Sequence, residues 1–355
     1  MRTISWRDES GGFVRLLDQT KLPQIAEEID IKNHTELISA IKSLAVRGAP
    51  ALGVAGAMGV ALIVKNAESE NWSASTREKA IAELRNARPT AVNLAWGVDQ
   101  AMKVISDGSA AVLKRALEIA DEDAKANRAM GKRGGDFLAG LLSNKSKSNQ
   151  MRLLTHCNTG ALATTEWGTA LGVIRDLFDR GLVSEVFADE TRPLLQGSRL
   201  TAWELSQLNI PYRILPDGAA ASAIFSGLID AVLIGADRIA KNGDTANKIG
   251  SLSVAVAAAA RNVPFLVVAP ESTIDRTLKT GAEIEIDKDE YDAVDLIPGV
   301  NVRKYKSGGY SNKSFAVMGN IAYPIEVPSA EKALPDGLHK LLNCGLVIEF
   351  GIGEL

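Results

Sequence analysis

Apolar and polar positions follow one rhythm up to about residue 142 and another from Met151 onward. Residues 3–17 alternate as two short strands around Asp8-Glu9-Ser10-Gly11-Gly12, a turn-rich hairpin loop. Leu37, Ile38, Ile41 and Leu44 recur at helical spacing within residues 34–44; residues 53–64 read as a small-residue apolar helix and 73–86 as a charged amphipathic one. A further helical pattern runs from Val112 through Asn127 and on towards Leu142, with acids and bases mixed on its outer face. Residues 143–149 form a polar surface loop.

Beyond Met151, short apolar strands alternate with helices, the signature of a parallel sheet joined by right-handed crossovers. Strands are predicted at 152–157, 185–189, 212–215, 231–235 and 264–269, with helices at 161–180, 197–208, 220–227 and 246–261 between them. The expected fold class is α/β: a doubly wound parallel-sheet domain over residues 131–355, preceded by a mainly helical domain with a small antiparallel sheet over 1–130. Ligands of such sheets bind beyond the carboxyl ends of the strands, so the residues there come first.

Composition narrows the class of protein. At roughly 150 residues per domain, 355 residues make two domains, and 46% hydrophobic with 23% charged residues excludes disordered, collagen-like and coiled-coil chains. Forty basic residues against 43 acidic ones leave a net charge of -3, which provides no global field for nucleic acid or an anionic membrane. The first residues carry no apolar leader segment, and no stretch reaches about 18 uninterrupted apolar residues, so the expectation is a cytoplasmic protein with neither membrane nor nucleic-acid partner. The two cysteines, Cys157 and Cys344, are too few for a disulfide framework or a structural zinc site, and three histidines make a histidine-rich metal site unexpected.

The predicted strand ends offer Cys157-Asn158-Thr159-Gly160, Asp189-Glu190-Thr191-Arg192, Asp217-Gly218 and Gly235-Ala236-Asp237-Arg238, so polar groups converge on one edge of the sheet. Cys157 sits where a strand is expected to hand over to a helix, whose N–H groups and positive end would stabilise a thiolate; the alternative is a small buried apolar residue. His156 points to the opposite face of the strand and reads as a core histidine rather than a base for Cys157. Asp237 ends an apolar strand, where partial desolvation would raise its pKa and let it donate a proton; the alternative is a helix cap or a loop carboxylate paired with Arg238.

Arg47-Gly48-Ala49-Pro50 places a cation and small residues ahead of a helix, where backbone N–H groups approach an anion closely. Gly53, Gly56 and Gly59 lack the spacing and the preceding strand of a dinucleotide fingerprint, and close helix packing accounts for them. Arg88, Asn247 and Lys248 add polar and cationic groups in loops or at helix starts, although a single surface cation is usually only solvated. These residues alone describe an α/β enzyme or binder of a small anion.

Several stretches together resemble the methylthioribose-1-phosphate isomerase family, part of a group that also holds ribose-1,5-bisphosphate isomerases and regulatory subunits of a eukaryotic translation-factor exchange complex. They are Leu16-Leu-Asp-Gln19 with Lys21-Leu-Pro23, Arg47-Gly-Ala-Pro-Ala-Leu-Gly53, Arg88-Pro-Thr-Ala-Val-Asn-Leu94, Thr155-His-Cys-Asn-Thr-Gly-Ala-Leu-Ala-Thr164, Ala188-Asp-Glu-Thr-Arg-Pro-Leu-Leu-Gln-Gly197, Gly235-Ala-Asp-Arg-Ile239, and Asn242 to Gly250. The resemblance implies that Cys157 and Asp237 are catalytic and that Arg47, Gly48, Ala49, Arg88, Gln196, Asn247 and Lys248 bind substrate. It further implies a Rossmann-like C-terminal domain behind a helical N-terminal one, a homodimer, and no metal or other cofactor. The regulatory branch does not keep the cysteine and aspartate, so their presence favours an enzyme. Residues 302–310 depart from the family's Asn-Pro-x-Phe-Asp segment.

The implied reaction is the conversion of 5-methylthioribose 1-phosphate, or a related 5-modified ribose 1-phosphate such as 5-deoxyribose 1-phosphate, to the ketose 1-phosphate. The alternatives are ribose-1,5-bisphosphate isomerisation and a non-catalytic sugar-phosphate or nucleotide sensor.

Overall fold

In the computed structural model, which describes residues 2–88, 91–142, 150–284 and the backbone of 294–297, the expected N-terminal hairpin pairs β1 (Ile4–Arg7) with β2 (Phe13–Leu17). Ile4 stands opposite Leu16 and Arg7 opposite Phe13. A third strand, β3 (Glu28–Ile31), adds antiparallel to β2 and was not expected, because its outer positions, Glu28 and Asp30, mask a run with only two apolar residues. Val14 and Leu16 point into the core, while Arg15 on the other face binds Asp30 through both Nε and Nη2, at 2.6 and 2.9 Å.

The chain divides into two units, Met1–Arg128 with Gly160–Gly168, and Ala129–Thr159 with Thr169–Leu355. In the first, helix α1 (His34–Lys42) starts at Asn33, whose side chain accepts the Glu36 N–H at 2.9 Å. Helix α2 (Ala49–Ser69) is longer than its apolar stretch predicts and is buried on all sides, with Leu62, Ile63 and Val64 at 2% exposure or less. Burying each such side chain contributes roughly 1.5–3 kcal/mol. By length and composition α2 would cross a membrane, but its faces are spent on this core. Around it pack α3 (Ala74–Arg85), capped by Ser73, and the unexpected α4 (Val92–Met102). A Cβ at Gly56 would meet the Leu94 carbonyl of α4 at 2.5 Å, which bears out the packing role expected for these glycines. Helix α5 (Ser109–Leu142) is continuous over the whole range where a helical pattern was expected.

In the second unit, strands β4 (Met151–Thr155), β5 (Val183–Asp189), β6 (Tyr212–Leu215), β7 (Ala231–Ile234) and the later β10 (Phe265–Val267) form one parallel sheet in the order β10-β7-β4-β5-β6. This is the doubly wound arrangement, with β4 at its centre and the strand order reversing beside it. The connecting helices are α6 (Ala170–Asp179), α7 (Ala202–Gln207), α8 (Ala220–Phe225) and α9 (Ser251–Ala260). All four β7 residues, Ala231 to Ile234, are buried, as expected for a strand covered on both faces. A second sheet in the order β11-β8-β9-β12 is built from β8 (Arg238–Ala240), β9 (Thr245–Lys248), β11 (Ile274–Asp275) and β12 (Val294–Ile297).

Two expected helices are corrected. The helix over 161–180 begins only at Ala170, because side chains of the first unit take the carbonyls a helix would use. Thr3 Oγ1 donates to Ala161 O and Thr164 O, each at 3.1 Å, and Gln19 Nε2 donates to Leu162 O at 2.8 Å. Residues 160–168 accordingly belong to the first unit. The helix over 246–261 is split: Ala246 to Lys248 pair as strand, and α9 starts after Gly250, whose φ of +104° ends the strand. The helix expected at 197–208 opens as a wide turn over Gly197–Thr201 before α7. The loop expected at 143–149, Cys344 and the divergent residues 302–310 lie outside the described residues.

Candidate active site

Register places the two catalytic candidates. Thr155 of β4 lies beside Leu233 of β7, so Cys157 and Asp237 follow the carboxyl ends of neighbouring parallel strands. The loops touch there: a Cβ at Gly235 would lie 2.9 Å from Thr159 Cγ2. The convergence of polar groups on one sheet edge is therefore present in the fold.

Cys157 is 9% exposed and holds a left-handed φ of +62°, a conformation uncommon for a side chain with a Cβ. Two threonine hydroxyls hold it there. Thr191 Oγ1 accepts the Cys157 N–H at 2.8 Å and donates to Asp189 O at 3.0 Å, and Thr201 Oγ1 donates to Cys157 O at 2.6 Å. Thr191 shares the left-handed conformation at φ +63°. Asn158 Nδ2 anchors the next residue on Thr201 Oγ1 at 3.2 Å and Glu204 Oε1 at 2.8 Å. The helix-end stabilisation expected for Cys157 is corrected, since only a short 3-10 turn, Ala161–Ala163, follows before α6 begins at Ala170; these side-chain bonds hold the backbone that carries the thiol. The sequence offers Thr191 only as one of the polar strand-end residues and Thr201 not at all, because hydroxyls that serve as backbone clamps carry no spacing signature.

His156 is fully buried, as expected of a core histidine, and both ring nitrogens are used. Nε2 lies 2.7 Å from Ile249 O, which only accepts, so Nε2 carries a proton; Nδ1 lies 3.0 Å from Asp189 Oδ2. Burial works against a charged ring, but the hydrogen bond and charge of Asp189, with the Ile249 carbonyl, outweigh it and hold His156 above its ordinary value. Burial likewise pushes the Asp189 carboxyl up against the opposing pull of His156. The two directions describe one proton retained between Nδ1 and Oδ2.

Asp237 corrects an expectation. Its carboxyl is exposed in the chain, so the apolar β7 before it does not bury it, and the strand β8 that follows excludes the helix-cap alternative. Its N–H donates at 2.8 Å to the carbonyl of Ala246, the β9 residue that Arg238 pairs with, which ties Asp237 to the strand that carries Asn247 and Lys248. Asn247 is 4% exposed and donates from Nδ2 to Ser251 Oγ at 2.7 Å. Ser251 Oγ in turn donates to Lys248 O at 2.7 Å. Lys248 is equally buried, in β9 rather than at a helix start. Gln196 is buried at the β5 end, its Oε1 without a hydrogen-bond partner among the described residues, beside Gly197, where a Cβ would strike the Asp189 carbonyl.

The remaining candidates lie in the first unit. Gly48 has a φ of +96° and a Cβ there would sit 2.5 Å from the Ala163 backbone, so glycine is required where α2 begins. Ala49 is the first residue of α2, Arg47 is buried with Nε donating to Gln19 Oε1 at 3.2 Å, and Arg88 is half-buried. Gln19 was not singled out, although it lies in a segment that carries the family resemblance.

For a cation, His156, Asp189 and Asp217 are grouped closely enough, with ligand atoms within 4.8 Å of one another. All but one of their ligand atoms are already hydrogen-bonded. Both His156 nitrogens are bonded, and Asp217 accepts the N–H groups of Thr191 and Arg192, each at 2.7 Å. Among the described residues, Asp189 Oδ1 is the one oxygen of the cluster buried without a hydrogen-bond partner. The cluster therefore serves as a hydrogen-bond network joining strand ends rather than as a set of ligands.

This doubly wound unit, with a clamped cysteine and an acid past neighbouring strands, is an α/β ligand-binding fold with its polar groups gathered at the strand carboxyl ends. A sequence profile of the Initiation factor 2 subunit family matches residues 45–318. Methylthioribose-1-phosphate isomerase from Thermotoga maritima is 46% identical over 81% of this chain and 82% of its own. The chain belongs to the methylthioribose-1-phosphate isomerase family within that larger group. It spans about half, 53%, of a Nocardia farcinica relative named a probable bifunctional methylthioribose-1-phosphate isomerase and methylthioribulose-1-phosphate dehydratase, at 44% identity over 84% of this chain. The crystal structure of 5-methylthioribose 1-phosphate isomerase from Pyrococcus horikoshii OT3 superposes with a TM-score of 0.73 at 35% identity, covering 84% of this chain and 88% of that one. A structure from A. fulgidus titled translation initiation factor eIF-2B, subunit delta, gives 0.70 at 37% identity, covering 84% and 92%.

Proposed function

We propose that this chain converts 5-methylthioribose 1-phosphate to its ketose 1-phosphate, an intramolecular aldose-ketose isomerisation that serves methionine salvage. The observation that carries the reading is the placement of Cys157 and Asp237 past adjacent strands, β4 and β7, in a chain this similar to isomerases. An aldose opens its ring through the anomeric hydroxyl; in a 1-phosphate that oxygen is esterified, and the ring must be opened another way. In this reading Asp237 gives its proton to the ring oxygen as the bond from that oxygen to C1 breaks. Hydrogen then moves from C2 to C1, either as a proton carried by Cys157 through an enol phosphate or as a hydride beside a protonated thiol. The C2 hydroxyl loses its proton, which restores Asp237, and no atom is gained or lost. Asp237 is exposed in the free chain, so bound substrate completes its surroundings at the moment of reaction.

Anion binding is assigned to Arg47, Gly48, Ala49 and Arg88 in the first unit and to Gln196, Asn247 and Lys248 in the second, through charge-assisted and backbone hydrogen bonds. We further propose a cytoplasmic homodimer that needs no metal and binds neither nucleic acid nor membrane; light scattering at micromolar concentration tests the dimer. The A. fulgidus likeness favours one second reading, a sugar-phosphate or nucleotide sensor without turnover. Incubating the protein with a panel of pentose 1-phosphates and assaying ketose separates the two: ketose from the methylthio sugar supports the isomerase, and tight binding without ketose overturns it. Competition by ribose 1,5-bisphosphate tests the bisphosphate alternative. In deuterated water, label at C1 indicates the proton route, and a hydride shift leaves none.

A further inference from the structure

The buried imidazole beside Cys157 has no part in that chemistry, yet it touches three separate loops of the second unit. It stands on the residue before Cys157, its Nδ1 meets Asp189 at the end of β5, and its Nε2 donates to the carbonyl of Ile249, the residue after Lys248. The fourth side is closed by Gly250, where a Cβ would lie 2.5 Å from His156 Cε1, so the loop accepts only glycine against the ring. A core histidine needs partners, but it does not need partners that bracket the cysteine on one side and the Asn247-Lys248 strand on the other. We propose that His156, braced by Asp189, is a positioning residue that locks the loop behind Lys248 to the strand end that carries Cys157, and so sets the anion-holding group relative to the thiol. The inference rests on the isomerase reading for the roles of Cys157 and Lys248.

The test is His156→Gln in the full chain, with kcat and KM for 5-methylthioribose 1-phosphate measured well below the unfolding temperature. A displacement of this kind costs about 10- to 100-fold in kcat/KM. If His156 acts through the Lys248 loop, the same substitution costs less than about threefold further in a Lys248→Ala background. An equal factor in both backgrounds, or a lowered Tm with unchanged kinetics, overturns the proposal and leaves His156 as a core residue. Should the parent protein make no ketose, the isomerase reading fails, and amide hydrogen exchange then decides the positioning role. Faster exchange in His156→Gln confined to residues 189–192 and 245–252 supports it; unchanged or uniformly faster exchange overturns it. If His156→Gln does not fold, Gly250→Ala keeps the histidine and aspartate but forces the loop off the ring. It is expected to give the same kinetic and exchange changes, and parent-like behaviour overturns the proposal.

Discussion

Cys157 and Asp237 follow adjacent strands of one sheet, yet the chain holds them in opposite ways. The cysteine is buried in a left-handed turn clamped by Thr191 and Thr201, with a histidine-carboxylate pair beside it. The aspartate is exposed and, among the described residues, is held by its backbone N–H on the Ala246 carbonyl, just ahead of β8. One group is preorganised by the fold; the other is left accessible, its environment to be completed by what binds. A thiol must be aimed to act on a carbon, whereas an acid that protonates a ring oxygen needs its water removed at the moment of reaction.

The sharpest way to break this comparison is to remove each group. Cys157→Ala and Asp237→Asn are each expected to lower kcat by about 10²- to 10⁴-fold, with ketose formation as the readout; parent-like turnover in either removes that residue from the chemistry. Next comes the clamp. Thr191→Val leaves the buried Cys157 N–H without its acceptor, and is expected to cost about 1–3 kcal/mol in urea unfolding and about tenfold in turnover. Thr191→Ser keeps the hydroxyl and restores most of both. If valine is as good as serine, the cysteine turn is not held by that bond.

A smaller effect concerns pH. The folded chain holds His156 above its ordinary value of about 6.5, so the stability this gives is complete below that pH and is lost as pH rises through the folded value, because the unfolded chain releases the proton first. Urea midpoints from about pH 6 to 9 are expected to fall in the parent protein and to flatten in His156→Gln. The smallest effect sharpens the contrast: because the residue is exposed, Asp237→Asn is expected to leave the urea midpoint within error of the parent's while it lowers turnover as above. A clear loss of stability would place Asp237 in the structural class with Thr191.

Much of this fold is legible from local pattern. The hairpin, α1, α3 and all five strands of the parallel sheet follow from alternation and helical spacing, since each period is set by neighbours a few residues away. The polar strand ends, including Cys157 and Asp237, follow from where the apolar runs stop. Other features depend on residues far away in the chain. No pattern near Leu162 reveals that Gln19 will take its carbonyl where the α-helix begins only at Ala170. None near Asn247 shows that β8 and β12 will draw it into a sheet. Burial is the clearest case: apolar neighbours in sequence suggested a hidden Asp237, but exposure is decided by what packs above a residue. The identity and chain order of the reactive groups are thus written in the sequence. Which of them is clamped, paired or open was decided only when distant segments met, because hydrogen bonds and solvent exclusion are properties of neighbours in space.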